Sequence, residues 1–290
     1  MSFEDTMSNV MRWATATEAL AALGAELAVQ QPGVTAPPEI VRALREVSAA
    51  AGIGDVGELP PPQQAMVLAL IRMFVHQASD LLDHPDRAPG WTFTDPAILD
   101  GWGRGSAMVP ALIARAHPDL EQVRRFLDVG TGVGLLAVAA AHVWPEATIV
   151  GIDPWDASLE RARANVDAAG FADRIQLRRG RLTDIDDVDT YDAAWIPTFF
   201  LSEVDLEKGL AATERALRRG GWVVLGLSRA ESDPLAAATD ALRTVRGGGC
   251  TLDASRAIDL LNDAGYDAAH SVQPPGPAPL EFVLGQRPKD

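Results

Sequence analysis

The sequence predicts an α/β protein, a doubly wound sheet of seven strands preceded by an all-helical N-terminal part. Three observations carry that expectation. Arg125 to Ala141 reads R-F-L-D-V-G-T-G-V-G-L-L-A-V-A-A-A. In it Phe126, Leu127 and Val129 form the end of a buried strand, three glycines turn the chain, and Leu135, Leu136, Ala139, Ala140 and Val143 recur at helical spacing. Strand, glycine turn and helix are the opening unit of a doubly wound sheet. From that unit to the C-terminus strand-like and helix-like segments alternate. Before it, residues 1 to about 100 contain no strand-like alternation. The expected division is a helical domain over residues 1–115 and a sheet domain over residues 116–290.

In chain order, Thr6 to Gln30 is alanine-rich and helical, with Trp13, Leu20, Leu23 and Leu27 as core candidates, until Q-P-G-V-T-A-P-P breaks it. Pro38 opens a second helix in which Ile40, Val41, Leu44 and Val47 share a face. A third helix, from about Gln63 to Leu82, has the strongest apolar stripe outside the sheet: Met66, Val67, Leu70, Ile71, Phe74 and Val75. The region from Pro96 to Ala116 is helical but weakened by glycines, and Pro110 kinks or restarts it. Beyond the glycine turn, A-T-I-V-G-I-D is the second strand. Ala157 to Ala169 is a helix stopped by Gly170, and R-I-Q-L-R-R is the third strand. Y-D-A-A-W-I-P is the fourth strand, Val204 to Leu217 a helix, W-V-V-L-G-L the fifth strand and Ala254 to Ala264 the last helix. A-A-H-S-V-Q and L-E-F-V-L-G-Q-R make an antiparallel pair at the sheet edge, because P-P-G-P-A-P between them is too rich in proline for a strand.

Charge narrows the function classes. A formal net charge of −15 repels a polyanion, and the densest basic run, Arg174, Arg178, Arg179 and Arg181, is interrupted and followed by acids. No nucleic-acid partner is expected. The single cysteine, Cys250, excludes an internal disulfide and fits a reducing cytoplasm. The start M-S-F-E-D-T lacks the basic, then apolar, pattern of a signal peptide. No apolar stretch is expected to reach the roughly 20 residues that span a bilayer, so no membrane partner is expected. His76, Asp80 and His84 recur at four-residue steps on the third helix. The outer pair would lie about 12 Å apart along the axis, too far to share one ion, and no metal is expected.

The turn itself indicates its ligand. A dinucleotide fingerprint is G-x-G-x-x-G, whereas this turn is G-x-G-x-G with Leu135 at the sixth position. Asp128 stands just before the first glycine, where a carboxylate opposes a pyrophosphate and favours positive charge. Asp153 ends the second strand about 23 residues after Gly130, the usual offset for an acid that accepts from ribose hydroxyls. A cation at the turn and a ribose at the second strand together fit S-adenosylmethionine, which carries an ammonium, a sulfonium and an adenosine but no phosphate.

With those residues in view, L-D-V-G-T-G-V-G and I-V-G-I-D resemble the first two motifs of the class I S-adenosylmethionine-dependent methyltransferases, over roughly Phe126 to Arg287. Within them the chain resembles the bacterial small-molecule, natural-product type. The resemblance implies a Rossmann-like sheet, an enzyme, and S-adenosyl-L-homocysteine as the product. It implies a cofactor bed of Asp128, Gly130, Thr131, Gly132, Gly134, Asp153, Pro154, Trp155, Leu182, Thr183 and Trp195. Relatives commonly have an aspartate near Arg181 for the adenine amino group. Here Leu182 is expected to stack, with Thr183 or Asp184 as the polar contact.

The loop after the fourth strand reads W-I-P-T-F-F-L, without the (Asp/Asn)-Pro-Pro-(Tyr/Phe) clamp used on nucleobase or glutamine amides. It points instead to a small apolar or aromatic acceptor, held by Pro197, Thr198 and Phe199 together with Trp102 and Met108. The alternative is that Phe199 and Phe200 pack as core. The histidine that plant-type O-methyltransferases carry after the fifth strand is absent from S-R-A-E-S-D, so no catalytic residue is assigned. Transfer is expected on oxygen, with nitrogen or carbon as the alternatives, driven mainly by in-line orientation. Two further readings stay open: a protein or peptide methyltransferase, and a cofactor-binding member that transfers nothing. The N-terminal helices are expected to form a cap for the acceptor and a homodimer contact.

Overall fold

The computed structural model describes residues 2–91, 93–229, 233–274 and 280–290. The chain forms two compact units that interleave in sequence, residues 1–85 with 95–105, and residues 86–94 with 106–290.

The first unit holds α1 (Phe3–Val29), α2 (Pro38–Ala50), α3 (Pro61–Asp83) and most of α4 (Pro96–Ser106). Ser2 and Asp5 close a reciprocal capping box on α1, and a proline opens each of α2 and α3. Leu23 and Leu27 of α1 pack with Leu68 and Ile71 of α3 and with Val56. The buried Glu26 accepts from the Ser48 hydroxyl at 2.5 Å and so ties α1 to α2. A Cβ on Gly101 would stand 2.6 Å from Met73 Cβ, so α4 approaches α3 there only as glycine. Two expectations need correction. Trp13 and Leu20 are exposed, because the buried residues of α1 are confined to Leu23–Leu27. And α3 is, by length and composition alone, long and apolar enough to cross a membrane. Its Leu68, Ile71 and Met73 are buried against protein while Phe74 and Leu82 are exposed.

The second unit is a seven-stranded sheet of order β3-β2-β1-β4-β5-β7-β6. The strands are β1 (Arg125–Val129), β2 (Thr148–Asp153), β3 (Ile175–Arg179), β4 (Tyr191–Pro197), β5 (Leu217–Ser228), β6 (Asp267–Val272) and β7 (Leu280–Gln286). β1 to β5 are parallel, and β7 runs antiparallel between β5 and the edge strand β6. The helices are α5 (Val109–Ala116), α6 (Leu135–Val143), α7 (Asp156–Ala169), α8 (Glu203–Ala216), α9 (Pro234–Arg246) and α10 (Ala254–Asp263). One core gathers Leu127, Ile196, Leu225 and Val283 with α8 and α10; the other gathers Phe126, Ile149, Trp195 and Phe282 with α5 and α6. Because β1 pairs with β2 on one side and β4 on the other, the strand order reverses at β1, and the space beyond its carboxyl end is where such sheets hold ligands.

The division differs from a single cut at residue 115. Val109 and Ile113 of α5 are buried with Leu120, Val123 and Phe126, which makes α5 part of the sheet unit. The 86–94 segment also belongs to it. Gly90 N–H donates to the Arg246 carbonyl at 3.0 Å, and the Trp91 ring meets Phe200 edge-on at 4.9 Å. The helix α9 is absent from the sequence expectation, although its signal is there. Asp233 caps it by accepting from Leu235 N–H and Ala236 N–H, and Pro234 fills the first helical position.

Candidate active site

The glycine turn leaves β1 with Gly130, Gly132 and Gly134 at φ +68°, +54° and +77°, the left-handed region that side chains resist. Thr131 N–H donates to the Ile152 carbonyl at 3.0 Å, sewing the turn to the end of β2. A Cβ on Gly134 would lie 3.0 Å from Ala162 Cβ, so the start of α6 is seated directly on α7. Gly151 is a site-shaping residue that the sequence expectation lacks. A Cβ there would stand 2.7 Å from Thr131 Oγ1, and its signal is a glycine inside a strand.

The two acids meet at this turn and are unequal. Asp153 is buried and doubly held: Oδ2 accepts from Gly132 N–H and Oδ1 from Trp155 N–H, both at 2.9 Å. Burial pushes its pKa up against those two bonds. Asp128 is 1% exposed; its Oδ2 accepts from the Thr131 hydroxyl at 2.7 Å, and its Oδ1 is buried with no partner. Burial lifts its pKa to about 7, opposed by the Thr131 bond and aided by the Asp153 charge. An orphaned buried carboxylate oxygen is costly unless a donor or cation arrives.

The other expected cofactor residues divide. Trp155 stands at the start of α7, half exposed, immediately after Pro154 and Asp153. Thr183 is half-buried. The side chains of Leu182 and Trp195 are buried. Leu182 is 2% exposed and packed into α8, where a Cβ on Gly209 would stand 2.1 Å from its Cγ. Trp195 is 3% exposed; its ring covers Gly226, where a Cβ would stand 2.1 Å from Cη2, and meets Phe282 edge-on at 5.6 Å. Both side chains are built into the cores. Arg181 is exposed, and its N–H donates to Asp184 at 2.9 Å.

Beyond β4, the Thr198 hydroxyl donates to the Gly226 carbonyl at 2.9 Å and is buried. Phe199 meets the Phe200 ring edge-on at 4.8 Å. A cavity of about 150 Å³ lies here, lined by residues that include Thr198, Phe199, Arg229, Asp240, Cys250 and Leu252. Pro197 Cγ lies 3.5 Å from where a Cβ on Gly130 would stand, so the cavity and the glycine turn share one end of the sheet. Burial raises the Cys250 thiol pKa, with help from the Glu203 charge, so the thiol is not poised as a nucleophile. Met108, partly exposed, stands just before α5 in the sheet unit, and Trp102 belongs to the helical unit. There His76 Nδ1 is 2.8 Å from Asp95, and His84 Nδ1 is 3.3 Å from Asp80.

Residues 126–221 match the family model described as a methyltransferase domain. Among curated proteins the chain is similar to the U6 snRNA (guanine-N(2))-methyltransferase THUMPD2 of Mus musculus, at 39% identity over 108 residues, 35% of this chain and 20% of that protein. The chain spans from a fifth to just under half the length of the curated relatives it matches. Among solved structures it resembles human N-acetylserotonin methyltransferase in complex with S-adenosylmethionine, at 15% identity over 99% of both chains with a TM-score of 0.71. It also resembles the mitomycin 7-O-methyltransferase MmcR, at 18% identity over 98% of this chain and 97% of that one, with a TM-score of 0.67. At such identities the likeness is one of fold.

Proposed function

We propose that this chain, whose residues 126–221 are a methyltransferase domain within the class I S-adenosylmethionine-dependent fold, binds that cofactor at the glycine turn and transfers its methyl group to a small apolar or aromatic acceptor, on oxygen. The observation that carries the reading is the orphaned, buried Oδ1 of Asp128 beside three left-handed glycines and Asp153. The residues fit the group. Asp128 offers a charge to a cation, and an ideal Cβ on Gly132 would have no neighbour nearer than 3.9 Å, so its backbone is open to close approach. Each oxygen of Asp153 keeps a second lone pair for a ribose hydroxyl. The exposed Trp155 indole offers a face to adenine. When bound, the cofactor supplies a methyl group already activated on a sulfonium.

The chain's own part is orientation. Pro197 and Thr198 stand at the carboxyl end of β4 beside the turn, the place where an acceptor atom would be aligned, and alignment alone supplies several powers of ten in rate. The small-molecule reading is favoured by the cavity lined by Phe199 and by the names of the O-methyltransferase and N-acetylserotonin methyltransferase neighbours. The mouse relative's name is that of an RNA enzyme, and one observation counts against carrying it over: a net charge of −15 opposes polyanion binding. The same proposal assigns residues 1–115 to acceptor selection and to a homodimer contact, in keeping with the exposed Phe3, Met7 and Met11 of α1.

The test has two parts. Calorimetry of the full chain with S-adenosylmethionine and S-adenosylhomocysteine should show saturable one-site binding. A screen against pooled aromatic metabolites, read by mass spectrometry, should show gain of one methylene unit in a single class of compound. Absence of cofactor binding by the folded chain would overturn the proposal.

A further inference from the structure

We infer that the cavity beyond β4 and β5 receives a single six-membered ring bearing a carboxylate, and that Arg229 is the residue that selects the anion. The inference deepens the methyl-transfer reading by naming the acceptor class, and it rests on that reading only in calling the ring an acceptor.

Size is the first argument. A cavity of about 150 Å³ matches the volume that admits one benzene molecule. The walls include Phe199, Ala237, Ala241 and Leu252, an apolar surface suited to a ring face.

Charge is the second. Arg229 lines the cavity directly after β5. Its Nη2 donates to the Pro274 carbonyl at 3.1 Å, which holds the guanidinium in place. Its Nε is buried, and among the described residues it donates to no group and no carboxylate forms an ion pair with the guanidinium. A guanidinium that lines the cavity, is fixed in this way and pairs with no described carboxylate is a receptor for a carboxylate oxygen, whose charge-assisted bonds exceed those of a neutral acceptor. The other charged group among the described residues of the wall, Asp240, does not compete. Asp240 Oδ1 sits 3.0 Å from Arg243 Nη2, so its charge is already offset. Thr198 spends its hydroxyl on the Gly226 carbonyl, and the Cys250 thiol is held neutral by burial. Among the described residues, the charge left uncompensated in this cavity is positive, in a chain whose overall charge is strongly negative.

Location is the third. Thr198 and Phe199 follow Pro197, the residue that approaches Gly130 of the turn. A ring seated against Phe199 with its carboxylate on Arg229 therefore lies at the methyl-bearing end of the sheet.

The test is calorimetry on the full chain with benzoate and with its neutral analogue benzamide, in the absence of cofactor. Benzoate should bind at least about tenfold more tightly, the range expected for a bond to a charged group. Arg229→Gln should abolish the preference, Arg229→Lys should keep part of it, and Ala241→Trp, which fills the cavity, should abolish binding of both compounds. Melting curves check that each variant is folded; if Arg229→Gln is not, the Lys and Trp variants still decide. Equal affinity for the two compounds, or benzoate binding unchanged by Arg229→Gln or Ala241→Trp, overturns the inference. Because no cofactor is present, the two claims fail separately. Benzoate selectivity without S-adenosylmethionine binding removes the methyl-transfer reading alone, whereas cofactor binding and turnover without benzoate selectivity removes this inference alone.

Discussion

Replacing Asp128 by asparagine keeps the shape of the side chain and an acceptor for Thr131 while removing the charge. The magnitude follows from burial. Unfolded, Asp128 ionises near 3.8; folded, near 7. Between those values the folded chain keeps a proton that the unfolded chain has lost. The stabilisation is therefore complete below pH 4, falls as pH rises, and is gone above pH 7. Each unit is about 1.4 kcal/mol, so the wild type should lose on the order of 2–3 kcal/mol between pH 5 and pH 8 from this group. Asp128→Asn should remove that part of the slope and leave only the part owed to Asp153, whose pKa is raised in the same direction. Cofactor binding should run the opposite way. A cation binds the ionised carboxylate, so wild-type affinity should rise by up to about tenfold per pH unit below pH 7 and then level off, with proton release on binding. The variant should bind weakly and without that slope. Thermal melts across pH, with calorimetry in two buffers of different ionisation enthalpy, measure both. A folded Asp128→Asn chain that retains both wild-type slopes would refute the reasoning.

Asp153→Ala strips acceptors from Gly132 N–H and Trp155 N–H as well as from the ligand; at about 1–3 kcal/mol for each stranded group, the melting temperature should fall and cofactor affinity should drop at least about tenfold, and unchanged calorimetry in a folded variant would remove Asp153 from the site. Gly134→Ala puts a Cβ 3.0 Å from Ala162 Cβ at a φ of +77°, so it should cost on the order of 1–3 kcal/mol in denaturant unfolding and weaken the cofactor, whereas a neutral result would mean that α6 and α7 shift freely. Phe199→Ala removes one wall of the cavity; acceptor KM should rise with cofactor affinity nearly unchanged, and a normal KM beside a large fall in melting temperature would mark Phe199 as packing only.

How far the site is legible in the sequence varies residue by residue. Three glycines, Asp128 before them and Asp153 at the right offset are local signals, because the turn needs left-handed backbone and the acids need only strand ends to stand on. Leu182 and Trp195 show the limit. Leu182 follows β3 and Trp195 lies within β4, and the room each side chain fills is left by a glycine far along the chain, Gly209 and Gly226, whose missing Cβ no local pattern announces. Helix α9 was legible in Asp233-Pro234. Arg229 was not, since nothing in S-R-A-E-S-D distinguishes a guanidinium held by a distant carbonyl from one in solvent.

The sequence by itself determined the class of the protein: the period of its apolar residues sets strands and helices, and the turn's glycines and acids set its ligand chemistry, all within about thirty residues of chain. Tertiary structure alone decided the rest. The 86–94 segment and α5 belong to the sheet unit, since Gly90 bonds to Arg246 and Ile113 packs with Phe126. The Asp128 oxygen is orphaned because burial takes it from water. A cavity of about 150 Å³ is also lined by Phe199 together with residues of α9 and Cys250. These are facts of which distant residues exclude water from one another, and no local pattern in a chain carries that information.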